Sequence, residues 1–412
     1  MKLTYKHTLI SCYLCFIIQA IVNNFSPLLF VTYSGEFDIS LDQITVLISY
    51  NFIVQMVVDA IGVKYAYRIG HRRGLLIAHV TSFLGMAGLA VFTKIMPPYL
   101  GLFLATTLCS MGSGFIEVMA SPTVEALPLG EKSSAMSLLH SFYCWGHLAI
   151  VLLSTLFFTL AGIENWRILA LLWSIVPALN GILFAVVPLA PLDGDTENQG
   201  SFLKMFCLKG FPLFLILMIC SGAMEQGIAQ WSSLFAETGL GVSKTLGDLL
   251  GPCLFGFMMA LSRTFYGIVG ERLNLTRFMK FCAVGIFGGY LLCVFAPHPV
   301  LSLAGCGLAG LCVGIYWPGS LSVASRSVPH GGTTMFAVLA LAGDVGCSLG
   351  PGMIGFISER VGGDFGLKSG ILAAVVFPIV AFVMLTVISR REKRGRANEG
   401  KPAEAIHESH ET

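Results

Sequence analysis

The sequence predicts an all-α membrane protein: twelve transmembrane helices arranged as two six-helix bundles. Three observations predict it. The 412-residue chain is 55% hydrophobic and only 12% charged, with a mean hydropathy of +0.79, whereas soluble chains carry about 25% charged residues. The apolar residues fall in long uninterrupted blocks of the roughly 20 residues needed to cross ~30 Å of hydrocarbon, and not in the short alternating segments of an outer-membrane barrel. Lys and Arg are distributed asymmetrically between alternate connectors, as the positive-inside bias requires. The same composition excludes a soluble enzyme and a disordered chain, and a formal net charge of +2 leaves no basic surplus for nucleic acid.

The blocks run over 8–31, 41–66, 74–95, 99–125, 135–162, 167–189, 210–236, 247–270, 276–296, 300–325, 332–358 and 366–389. Met96-Pro97-Pro98 and Ala296-Pro297-His298-Pro299 act as turns between them. With both termini in the cytoplasm, 19 of the 25 Lys and Arg fall in or near the connectors on that side and 5 in or near those outside, and Arg263 alone lies deep within a span. The expected localisation is therefore the plasma membrane, multi-pass, with the lipid bilayer as a partner. The longest polar connector follows span six. It divides the chain into an N-terminal bundle (1–190), a cytoplasmic linker (191–209), a C-terminal bundle (210–389) and a charged tail (390–412) expected to be disordered and cytoplasmic. Two sets of six spans with a solute site between them near mid-membrane is a known transporter plan. A monomer is expected.

The 12 cysteines sit almost entirely inside the apolar blocks, where they act as small hydrophobes. Cys12 and Cys15 have C-x-x-C spacing, but no second pair completes a metal site. Leu9-Ile10-Ser11-Cys12 faintly matches a lipoprotein cleavage box. Lys6 lies just before it, so the block is read as a span and not as a cleaved signal.

Charged groups inside spans are costly, and each is a functional candidate. Glu117 sits in span four between glycines and Pro122, whose missing N–H frees a backbone carbonyl; it is read as a proton-coupling site, against a structural glutamate at a kink. Glu225 in span seven is either a second coupling carboxyl or the ion-pair partner of Arg263 in span eight. It is accompanied by Gln226, Gln230 and Trp231, and amides with an indole suit a hydroxyl-rich solute. Asp344 in span eleven is a further proton site or the partner of Arg263. Asp59, near the inner end of span two, reads as a gating charge, with Arg68 and Arg72 in the loop that follows. Gln19, Asn23 and Asn24 put three amides in span one, on the expected cavity wall. Trp145 in span five and Tyr316 and Trp317 in span ten are candidate aromatic walls or gates. His79, His140 and His147 also lie in spans, with no ligand set nearby in sequence, so no metal is expected.

These residues resemble the major facilitator superfamily over nearly the whole chain, and within it the fucose permease branch of sugar–proton symporters. Gly112, Phe115, Glu117 and Pro122 match the span-four pattern, with Ser121 in place of its asparagine. Asn23 and Asn24 match paired asparagines in span one, while Pro27 stands where the fucose permease has an aspartate. Ser141, Phe142 and Gly146 resemble span five; Glu225, Trp231 and Arg263 resemble related members, with Ser262 in place of a usual glycine. The loop after span two keeps Arg68, Gly70, Arg72 and Arg73 of the superfamily signature, but Tyr67 replaces its acidic residue.

The resemblance implies uptake of a sugar or other polyhydroxylated solute with protons, no cofactor, and the proton gradient as driving force. Glu117 inherits the coupling role by position. A proton-driven drug or metabolite efflux antiporter is the main alternative, because Gly350-Pro351-Gly352 places an antiporter-like pattern in span eleven. A non-transporting solute receptor is a remote one.

Overall fold

Among the described residues, twelve helices are long and apolar enough to cross a bilayer, and each overlaps one expected block. The protein is described by a computed structural model covering residues 3–128, 132–190, 210–269, 274–327 and 332–399, with backbone alone at 63–68, 132–134, 136–137, 267–269, 332–334, 364 and 392–399. The expected linker, 191–209, and residues 400–412 of the tail lie outside the described residues. In the N-terminal bundle spans one to six are Tyr5–Phe37, Leu41–Gly62, His71–Ile95, Pro98–Ala126, Leu138–Ala161 and Ile163–Val186. In the C-terminal bundle spans seven to twelve are Phe211–Gly239, Lys244–Tyr266, Leu275–Phe295, Pro299–Ser327, Met335–Val361 and Gly366–Arg391.

Burial orders these helices around a common axis. The most apolar windows of spans one and seven are 78% and 72% buried, those of spans six and twelve 39% and 33%, so the first pair is central and the second peripheral. Between the bundles, span two packs along span eleven and span five along span eight. Lipid tails are as apolar as leucine, so these helices are held by close packing and not by exclusion of water. Gly346 lies against the Ile219 carbonyl and Gly350 against the Ala223 carbonyl, which lets spans seven and eleven approach backbone to backbone. Any Cβ at these two positions would collide with main chain.

Two of the helices are interrupted where prolines intervene. Span one turns through a tight 3-10 segment at Ser26–Leu29, around Pro27, and resumes as Phe30–Phe37. Span ten is broken between Pro299–Val313 and Tyr316–Ser327. Pro318 has no N–H to give the Gly314 carbonyl, so that carbonyl is left without its helical partner. The last helix runs on as Val376–Glu399, where an irregular tail was expected from residue 390. Arg, Glu, Lys and Ala at 390–399 are good helix formers, and charge alone does not unwind a helix already nucleated in the span.

Candidate functional site

The polar residues of the central spans meet between the bundles. In the N-terminal bundle, Gln19 donates its Nε2 to Glu117 Oε2. One layer away, Asn23 Nδ2 reaches Ser113 Oγ at 3.2 Å and Gln55 Oε1 at 3.4 Å, and Ser113 donates to Gln55 at 2.8 Å. Ser110 donates to Asn51 Oδ1 at 2.7 Å, and Asn51 lies 3.5 Å from Asn23 Oδ1. A cavity of about 30 Å³ bounded by Asn23, Asn51 and Gln230 adjoins this network, enough for about one water.

In the C-terminal bundle, Glu225 forms a salt bridge to Arg263 at 3.0 Å. Arg263 also donates from Nε to the Gly314 carbonyl at 3.2 Å, the group that Pro318 leaves open. The break in span ten therefore helps to hold the only span-embedded cation expected from the sequence. Glu117 lies within electrostatic reach of both Glu225 and Arg263, but its direct partner is the Gln19 amide.

Tyr143 joins the two bundles. Its hydroxyl lies 3.5 Å from Asn24 Nδ2 in span one and 3.5 Å from Gln226 Nε2 in span seven. Gln230 donates to Gln226 Oε1 at 3.0 Å and to the Asn23 carbonyl at 3.2 Å. Both contacts to Tyr143 are long against the usual 2.7–3.2 Å of an N–H···O bond, and Asn24 Oδ1 is buried without a donor. This cluster therefore has unused donor and acceptor capacity.

The bundles are sealed on the face opposite the termini. Trp231 donates to the Pro351 carbonyl at 2.9 Å and packs beside Phe30, so it closes the roof of the cluster. Ser348 donates to the Ser49 carbonyl at 3.2 Å across spans eleven and two. Thr155 of span five reaches Asp248 of span eight at 3.3 Å, and Lys244 holds both Asp248 and Glu237 at 3.0 Å. Above this seal a cleft of about 430 Å³, lined by Ser34, Leu41 and Glu359, opens on that face. Glu117 is only partly buried.

Several expected site residues lie elsewhere. Trp145 is 43% exposed and shares its helix face with Leu138, Leu152 and Leu156, all exposed. It points outward, because Tyr143 and His147 occupy the opposite, inward side of span five, and it does not line the cavity. Tyr316 is fully buried and donates to the Met279 carbonyl at 2.8 Å, so it fastens span ten to span nine. Trp317 packs over Gly343 in span eleven. Arg72 makes no ion pair among the described residues; it donates to the Phe184, Ala185 and Val187 carbonyls at 2.7–2.8 Å, capping the end of span six. The Arg68 side chain lies outside the described residues. Asp344 does not meet Arg263 but faces Asp59. His79 is held by Asn180 at 2.9 Å and by the Leu75 carbonyl, away from the centre.

Tyr143, Gln55 and Asp248 were not among the expected site residues. Asp248 stands four residues after Lys244, a spacing that pairs opposite charges on a helix. Gln55 stands four before Asp59 and shares its face.

The sequence profile described as Major Facilitator Superfamily matches residues 12–351 and 253–409. No curated protein matches the chain by sequence. Among solved structures, a bacterial homologue of the human lysosomal transporter Spinster, inward-facing and occupied, is similar with a TM-score of 0.76 at 14% identity, over 95% of this chain and 98% of that one. A D-xylose–proton symporter gives 0.73 at 13% identity, over 93% and 95%. The fucose:proton symporter of E. coli gives 0.65 at 14% identity, over 92% and 98%.

Proposed function

Because the chain belongs to the major facilitator superfamily, a family of transporters and not of enzymes, we propose that it is a proton-coupled secondary transporter taking up a sugar or other polyhydroxylated small solute by alternating access. The observation that carries this reading is the unequal treatment of the two central glutamates. Arg263 neutralises Glu225, whereas Glu117 faces an amide, so only Glu117 needs a proton to become neutral. A bare carboxylate is expensive to enclose in a closing cavity. Protonation removes that cost, the occupied carrier turns over, and release of the proton on the other side resets it.

The polar cluster between the bundles supports the solute class. Tyr143, Asn24, Gln226 and Gln230 offer donors and acceptors together. The two contacts to the Tyr143 hydroxyl, both 3.5 Å, are long enough to be exchanged for bonds to solute hydroxyls. The sugar–proton symporters among the structural neighbours support the same class. We place the protein in the plasma membrane with both termini cytoplasmic, from the Lys and Arg asymmetry; the sealed face is then extracellular.

The test begins with a thermal-shift screen of the purified protein against sugars, polyols, sugar acids and cationic drugs, followed by flux of the best hit in proteoliposomes. Movement of solute with the imposed proton gradient is expected; movement against it identifies an efflux antiporter. Glu117→Gln is expected to abolish accumulation while leaving solute exchange measurable. Continued accumulation by that variant removes Glu117 from the coupling step.

A further inference from the structure

Spans two and eleven run antiparallel across the bundle interface. Thr45 lies beside Gly355, Ser49 beside Gly352 and Ser348, and, further toward the termini, Asp59 faces Asp344. Both aspartates are buried, at 4% and 3% exposure. The two carboxyls lie within hydrogen-bonding reach of one another. Among the described residues, neither oxygen of Asp59, nor Oδ2 of Asp344, has any other hydrogen-bond partner. Room for the pair is built in: a Cβ on Gly114 of span four would stand 2.8 Å from Asp59 Oδ1. Trp317 covers Gly343, the neighbour of Asp344.

We propose that Asp59 and Asp344 form a shared-proton latch between the two bundles, a site separate from the coupling carboxyl Glu117. Two carboxylates in contact cannot both be ionised in a buried site. One proton held between them turns mutual repulsion into a hydrogen bond and ties span two to span eleven. Its loss toward the termini leaves two like charges facing each other at the end of the seam. The seam then parts and the sealed face opens.

Among the described residues, the other titratable groups near the pair are Glu117 of span four, within electrostatic reach of both aspartates, and the Cys347 thiol, one turn along span eleven from Asp344. No described Lys or Arg forms a salt bridge with either. A proton is thus the neutralising partner that the surroundings favour. The latch concerns which face is open and requires neither solute nor gradient. Its test is therefore independent of whether the solute is a sugar and of whether Glu117 couples.

The experiment uses the full chain in lipid nanodiscs, with spin labels on non-natural residues at Glu164 and His298, exposed positions on the sealed face of either bundle. Distances are measured over a pH series without solute, in potassium buffer. In the otherwise native chain the distribution is expected to move from short to long as pH rises. Asp59→Asn and Asp344→Asn should each hold the short distance throughout, because an amide donates to the remaining carboxylate without a proton. Glu117→Gln should keep the step, displaced in pH. Infrared spectra of the same samples should lose one protonated-carboxyl band in either Asn variant, a readout available even if a variant's labels report disorder. A step that survives in both Asn variants, a band unchanged in both, or closure driven by sodium at constant pH overturns the latch.

Discussion

The two bundles each carry a glutamate near mid-span, Glu117 in span four and Glu225 in span seven, and they surround it differently. The C-terminal bundle supplies Arg263, itself fixed by the Gly314 carbonyl that Pro318 leaves open. The N-terminal bundle supplies Gln19. A carboxylate beside a guanidinium is already neutral as a pair and has little tendency to take up a proton. A carboxylate beside an amide is solvated but still charged. The contrast assigns a fixed electrostatic strut to one bundle and a mobile charge to the other, and it follows from one partner side chain in each.

The largest effect should come from breaking the strut. Arg263→Met leaves Glu225 buried without its cation, and removal of one partner of a buried pair costs about 3–5 kcal/mol. Glu117→Gln removes a charge but keeps an amide-to-amide hydrogen bond with Gln19, so the change should stay within about 1 kcal/mol. Denaturant or thermal unfolding of the reconstituted protein compares the two. The double variant Glu225→Gln/Arg263→Met should recover most of the lost stability, because no charge is left stranded. Equal destabilisation by Arg263→Met and Glu117→Gln would break the comparison.

Next in size is the bridge between the regions. Tyr143→Phe deletes the hydroxyl that stands between Asn24 and Gln226. Solute affinity is expected to fall about tenfold, equivalent to about 1.4 kcal/mol, with little change in unfolding, since the native contacts it loses are long. Calorimetric titration with the solute found in the screen measures it. A loss of stability without a loss of affinity would make Tyr143 a packing residue.

Much of this arrangement could be read from the sequence, and what could not has physical causes. The span count was legible because hydrocarbon thickness imposes a length on every crossing. Glu117, Asn23, Asn24, Gln226 and Gln230 were legible because a polar side chain in an apolar block must find a polar neighbour. Which neighbour it finds is a matter of helix packing. A transmembrane helix is apolar on every side, so the inward face leaves little periodic signal. Asp344 and Asp59, 285 positions apart in the chain, meet only because spans two and eleven lie antiparallel. Two further placements carried a signal in the sequence. Trp145 stands seven residues from both Leu138 and Leu152, which already put it on a lipid-facing stripe. Pro318 follows Gly314 by four, which marked an open carbonyl in span ten.

A smaller effect should separate the sealed face from the polar centre. Thr155→Val removes the hydroxyl that reaches Asp248 across spans five and eight, while Lys244 and Ser233 still satisfy that carboxylate. Only the bond between bundles is lost, worth about 0.5–1.5 kcal/mol. The open population of the sealed face should rise by a few-fold, read as a larger long-distance fraction between labels at Glu164 and His298. An unchanged distribution would confine the seal to spans two and eleven.

The smallest effect tests the outward face directly. Trp145 lies two residues from Tyr143, yet the helix turns it to the opposite side, among exposed leucines. Trp145→Leu keeps an apolar side chain on that stripe and touches no hydrogen bond among the described residues. Exposed substitutions away from special features usually stay within about 0.5 kcal/mol, so unfolding, solute affinity and accumulation should all match the native protein. Tyr143→Phe removes one oxygen and is expected to weaken binding, whereas Trp145→Leu removes a whole indole and is expected to do almost nothing. If the indole instead proves necessary for solute binding, span five must rotate during the cycle, and the inward and outward sides assigned to it here hold for one state only.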